Sequence, residues 1–149
     1  MSFLNVQFHP CAEADFHAMV ESGIEEQEDA AAQLLWLLDL FRISLPIYEA
    51  LLAANAEISF TDAESGEYIH LNIKIIQSLK TLADDARYQT DAIRRFRELD
   101  MSPSDKYRVF YAVRRNSFKQ EICQILGVFP REIAYEQRTL DELIRRYNT

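Results

Sequence analysis

Glycine and proline are scarce in this sequence. Its 149 residues include only 3 Gly and 4 Pro, whereas sandwiches and barrels built from many short strands need turn residues at frequent intervals. Because glycine occurs only at positions 23, 66 and 127, neither a phosphate-binding loop nor a dinucleotide fingerprint can be present. The sequence also lacks the Gly-x-Ser-x-Gly and His-Glu-x-x-His motifs. These absences predict a protein that is not an enzyme and that has no cofactor.

Cysteine is rarer still. Cys11 and Cys123 are too few and too far apart for a disulfide framework, so we expect two free thiols in a reducing compartment. His9, Cys11 and His17 are the only local cluster of metal-ligating residue types. A tetrahedral site would need a fourth ligand from His70 or Cys123, and no paired-ligand spacing supports it. We therefore expect no bound metal.

Long hydrophobic runs are absent as well. The first ten residues contain neither a basic segment nor an apolar one of the kind found in secretory signals. The most apolar stretch, residues 30–45, contains Gln33, Asp39 and Arg42 and is too short to span a bilayer. The expectation is a cytoplasmic protein without a membrane segment.

Hydrophobic residues make up 48% of the chain, and the length suits one domain with its own core. We predict a mainly α fold, a single-domain helical bundle covering residues 1–149. Trp36 lies in the most apolar helix and is expected to be largely buried. The predicted helices, placed by capping residues, Gly23, Pro46 and Pro103, cover about 12–22, 25–44, 47–56, 76–99, a segment from 103 onwards, and 130–147.

Residues 57–75 admit two interpretations. Ile69, Leu71, Ile73 and Ile75 alternate with polar residues, and with the turn-like segment 62–67 they predict a β-hairpin. Leu71 and Ile75 also begin one apolar helical face that continues to residue 86, which favours a helix. The sequence leaves both alternatives open.

Charge is unevenly distributed along the chain. From Met1 to Asp105 there are 19 acidic and 7 basic residues, a net charge of −12; from Lys106 to Thr149 there are 5 acidic and 9 basic residues, a net charge of +4. The clearest boundary in the sequence, residues 102–105, coincides with this change of sign. We therefore divide the domain into an acidic helical part, residues 1–101, and a basic helical part, residues 102–149. Such asymmetry indicates a partner for one end of the chain.

One segment, residues 118–140, resembles the helix-turn-helix of bacterial repressors and sigma-factor tail domains. In that pattern a small residue lies four positions before a turn glycine, as Cys123 does before Gly127, and Pro130 suits the start of the second helix. Glu136 departs from the pattern, which expects a core residue there. The remaining core positions of the pattern are matched by Ile122, Leu126, Val128 and Ile133.

Two functions follow from these observations. The first is a non-catalytic protein–protein interaction module: an adaptor, assembly chaperone, inhibitor or regulator that binds another protein and forms a homodimer through its apolar helix. The alternative, implied by the resemblance, is a DNA-binding transcriptional regulator that contacts duplex DNA through its C-terminal part. In either case, the expected contact residues are Arg131, Glu132, Tyr135 and Arg138.

Overall fold

A computed structural model describes residues 5–43, 45–52, 56–61, 66, 68–75, 96–101, 106–115 and 118–149. These residues form an α/β fold, so the prediction of a mainly α bundle is wrong. The described helices are α1 (Pro10–Val20), α2 (Glu25–Ile43), α3 (Leu45–Leu52) and α4 (Gln137–Tyr147). The described strands are β1 (Val6–Phe8), β2 (Ala56–Thr61), β3 (Tyr68–Ile75), β4 (Phe96–Met101), β5 (Tyr107–Arg115) and β6 (Glu121–Pro130).

The six strands form one sheet in the order β1-β6-β5-β4-β3-β2. Strands β2 to β6 pair antiparallel with their neighbours, whereas β1 adds to β6 in parallel. The pairing of β2 with β3 runs from Ala56 opposite Ile73 to Thr61 opposite Tyr68. It confirms the hairpin in residues 57–75 and excludes the helical alternative there.

The central strand β5 shows why helices were predicted in place of strands. Val109, Tyr111 and Val113 are buried in the core on one side of the sheet, and Phe110 and Ala112 are buried on the other. A strand buried on both faces is apolar along its whole length, and periodicity cannot distinguish it from a buried helix.

Two predicted helices overlap strands where the structure describes them. The helix expected from residue 103 onwards is replaced by β5, and residues 102–105, which were to cap it, lie outside the described residues. Of the helix predicted over 76–99, residues 76–95 also lie outside them, and 96–99 belong to β4.

Helices α1, α2 and α3 cover one face of the sheet. In α2, Leu34, Leu37 and Leu38 are at most 1% exposed and pack into the larger core, as residues three and four apart on one helix face do. Leu35 on the opposite side is 51% exposed. Trp36 is only partly buried at the edge of that core, so the expectation of a largely buried indole is met in part. The apolar stripe of α2 packs against the sheet of the same chain, so it does not by itself support a homodimer. The homodimer remains a prediction.

Helix α4 covers the other face. Leu140, Leu143 and Ile144 pack against Phe110 and Leu126 in a second core. This helix was predicted from residue 130, but residues 131–136 form turns and the helix begins at residue 137. Within the described residues, no helix has the length and apolar character needed to cross a bilayer.

Candidate functional site

The resemblance to a helix-turn-helix does not survive in the structure. Residues 121–130 form β6, so the first helix of the motif is absent. Cys123 and Gly127 keep their spacing, but Cys123 faces the larger core from a strand. The helix-turn-helix on which the DNA-binding alternative was based is therefore not formed by these residues.

The four predicted contact residues do lie close together. Arg131, Glu132 and Tyr135 belong to the turns that connect β6 to α4, and Arg138 lies in the first turn of α4. All four are exposed. Tyr135 packs edge-on against Phe110 at 6.2 Å between ring centroids. The Arg131 N–H donates a hydrogen bond of 2.9 Å to the carbonyl of Lys106, and the Arg138 guanidinium lies 3.0 Å from the Glu136 carboxylate. They form an exposed, mixed-charge connection rather than a recognition helix.

A β-bulge interrupts β6 beside this connection. Phe110 lies opposite Gly127 and Tyr111 lies opposite Ile125, so Leu126 is the extra residue. A bulge takes a residue out of the regular ladder, and its carbonyl then needs another donor if it is buried. Arg146 of α4 supplies that donor, with its Nη1 2.8 Å from the Leu126 oxygen.

Arg146 is 6% exposed and connects three parts of the fold. Its Nη1 also lies 2.8 Å from Oδ2 of Asp15 on α1, and its Nε donates to the Glu142 carboxylate at 3.1 Å. The guanidinium lies 5.4 Å from the centroid of the Phe129 ring. A buried guanidinium is tolerated when carboxylates and carbonyls satisfy its donors in this way. Arg146 therefore fixes α1 and α4 against the bulge.

An open, mostly apolar groove of about 190 Å³ lies next to Asp15, and we call it the α1–β6 groove. Small-molecule sites usually have roughly 300–1,000 Å³, so this groove suits a single side chain better than a whole ligand. Val20 and Ile24, which lie in the chain between lining residues, are 46% and 52% exposed. The groove is lined by Asp15, Ala18, Met19, Gln27, Tyr107, Val128, Phe129 and Pro130.

Two carboxylates act on the groove residue Tyr107. The pKa of Tyr107 is raised, first by burial and then by the charges of Glu26 and Glu132. Lys106 is the adjacent cation, and its Nζ lies 3.5 Å from the Glu26 carboxylate. Both acidic residues are exposed. Glu132 is thus one of the predicted contact residues that the structure places beside this groove.

The metal-like cluster of the sequence serves other roles. His9 is 5% exposed; its Nδ1 accepts the Cys11 N–H at 3.1 Å and so caps α1, and its Nε2 lies 2.8 Å from Oγ1 of Thr149. His17 instead points to solvent, 3.7 Å from Glu13. In the part of the chain that the structure describes, no group of three or more His, Cys, Asp or Glu residues could hold a metal ion.

Sequence reasoning missed the groove because its walls come from distant segments. The acidic run that begins at Glu25 was interpreted only as favourable charge at a helix N-terminus. The signal that could have indicated the groove was the position of this acidic run directly after the short α1 and the turn at Gly23. Comparison of the chain with protein-family models, curated proteins and solved structures found no match.

Proposed function

We propose that this protein is a non-catalytic interaction module, an adaptor, assembly chaperone, inhibitor or regulator, that binds another protein at the α1–β6 groove. The observation that carries the proposal is the groove itself, an apolar hollow of side-chain size. The chain segment between its lining residues Met19 and Gln27 exposes two large apolar side chains, Val20 and Ile24. Protein partners anchor themselves by inserting one apolar side chain into such a hollow.

The fixed surroundings of the groove support the same conclusion. Asp15 is held by Arg146, and Tyr107 and Val128 are buried core residues. The groove is therefore preformed, and binding a partner would require little additional ordering of its side chains.

Photo-crosslinking in the native host tests this function. A photoreactive phenylalanine analogue at position 24 should yield a discrete crosslinked protein, and the same analogue at position 68 should not. Tyr68 is a matched control because it is 59% exposed on β3, at the far side of the sheet from β6. Identical adducts from both positions, or none from position 24, would contradict the proposal.

Two tryptophan variants sharpen the test. Ala18 is exposed and lines the groove, so Ala18→Trp should fill it and abolish the adduct. Ala32 is an exposed helical alanine of α2 outside the groove, so Ala32→Trp should leave the adduct unchanged. Persistence of the adduct in Ala18→Trp would show that the groove is not the binding surface.

A further inference from the structure

We infer that the partner of the α1–β6 groove is a basic segment, one that inserts an apolar side chain between flanking Lys or Arg residues. This inference rests on the proposed function and specifies the chemistry of its partner. Three observations support it: the charges on the groove's walls, the ion pairs that the neighbouring cations form, and the groove's size.

The helical wall of the groove carries charge of one sign. The chain has no Lys or Arg before Arg42, and residues 10–29, which span α1 and the start of α2, contain seven carboxylates. Glu21, Glu25 and Glu26 are exposed near the lining residues Met19 and Gln27. Cations of a partner would be attracted to this wall, and an anionic partner such as a nucleic acid would be repelled.

Two cations beside the groove form ion pairs with carboxylates of the same chain. Lys106 pairs with Glu26, and Arg146 is buried against Asp15 and Glu142. Arg131 is exposed where the chain leaves Pro130, at the strand side of the groove. The partner's cations are therefore expected over α1 and α2.

The floor of the groove supplies the apolar part of the recognition. Met19 and Val128 are buried but line the hollow, and Phe129 and Pro130 extend it. A volume of about 190 Å³ accommodates one large aliphatic or aromatic side chain. The pKa of Tyr107, another lining residue, is raised first by burial and then by the charges of Glu26 and Glu132.

Fluorescence anisotropy with three synthetic peptides of equal length tests the inference on the full-length protein. The first has a central Leu flanked by Lys residues, the second has the same Leu flanked by Glu, and the third has the Lys residues with Ser in place of Leu. The first should bind with a Kd that rises with salt, because the exposed charges are screened. The second should not bind, and the third should bind at least about tenfold more weakly, because it buries no apolar side chain.

Variants locate the binding. Ala18→Trp should abolish it and Ala32→Trp should not. Removing the rim charges by Glu26→Gln and Glu132→Gln together should weaken it several-fold, whereas Glu49→Gln, an exposed charge on α3, should leave it unchanged. No binding of the Lys–Leu peptide, or equal binding of the Glu-flanked peptide, would overturn the inference. Crosslinking at position 24 to a segment without cations would overturn it too, but would leave the proposed function standing; absence of that crosslink would overturn both.

Discussion

Arg146 on α4 and Asp15 on α1 form an ion pair of 2.8 Å although 131 positions separate them in the sequence. The two helices lie on opposite faces of the sheet, so this pair passes around the edge of β6. Strand β1 covers that edge only as far as Ile125, which lies opposite Phe8. The pair therefore joins the two helical layers at the point where the short edge strand ends.

Replacing this guanidinium should strongly destabilise the fold. Arg146→Met keeps the aliphatic stem but leaves the Leu126 carbonyl and the Asp15 carboxylate without this donor, and we expect a loss on the order of 3 kcal/mol in the free energy of unfolding. The adjacent Arg145 is a matched control, because its side chain is 55% exposed and pairs with Glu142 at the surface. Arg145→Met should cost much less, because ion pairs between exposed side chains contribute little to stability. Equal urea midpoints for the two variants would contradict the role assigned to Arg146.

Gly127 is required by close packing at the bulge. A Cβ at this position would lie 2.5 Å from Cε2 of Phe129 and 3.1 Å from Nη1 of Arg146. Gly127→Ala should therefore destabilise the protein by about 1–3 kcal/mol. In a double-mutant cycle, Phe129→Leu should relieve much of this cost by removing the ring, which gives a favourable coupling. Additive losses in thermal or urea unfolding would show that the contact with Phe129 is not the cause.

Tyr111 connects the sheet to α3. The ring is fully buried, and its hydroxyl donates a hydrogen bond of 2.7 Å to the carbonyl of Leu51. Carbonyls in the last turn of a helix lack partners within the helix, so this bond stabilises the end of α3. Tyr111→Phe should lower the free energy of unfolding by about 1 kcal/mol. Tyr68→Phe, at an exposed tyrosine, should have no measurable effect.

His9 should make stability depend on pH. Its pKa is lowered, chiefly by burial and then by the positive charges of Arg146, Arg145 and Arg114. Because the pKa of His9 is lower in the folded protein, the unfolded chain binds the proton more readily. The neutral His9 ring therefore contributes fully to stability at pH values above its pKa in the unfolded chain. That contribution is lost as pH falls from that value through the lower folded pKa. The protonated ring also loses the acceptor that caps α1.

Urea unfolding at neutral and mildly acidic pH measures this effect. The wild-type midpoint should fall on acidification, whereas His9→Asn, which retains a neutral capping side chain, should show a smaller change. His17→Asn serves as the control, because His17 is exposed on the same helix, and it should behave like the wild type. A pH response of His9→Asn as large as that of the wild type would exclude His9 as its source.

The sequence predicts those elements whose signals are local. Helix α1 and its end before Gly23, where φ is +71°, follow from capping and turn chemistry. The period of two in residues 57–75 indicated the β2–β3 hairpin, but only as one of two alternatives. The segments around Phe110 and Leu126 were assigned to helices because burial on both faces removes any period. Composition gave the wrong fold class for a different reason: consecutive strands joined in a meander need few glycines.

The candidate site was less accessible to sequence reasoning than the fold. No local sequence motif marks Asp15 or Arg146 as partners. Their pairing depends on the bulge at Leu126, whose carbonyl binds Arg146. The four predicted contact residues, which include Glu132, are exposed, but they were attributed to a helix-turn-helix that the chain does not form.

The parallel pairing of β1 with β6 determines when the native sheet can be completed. Val6 lies opposite Cys123, so during synthesis the first strand must wait until its partner has emerged from the ribosome. Until then the apolar faces of α1 and α2 have no central strands to cover, and they are exposed to aggregation or to chaperones. Contacts of such long sequence separation also slow folding, because a large loop must close before they form. A growing chain of this protein is therefore expected to become protease-resistant only after β6 has left the exit tunnel.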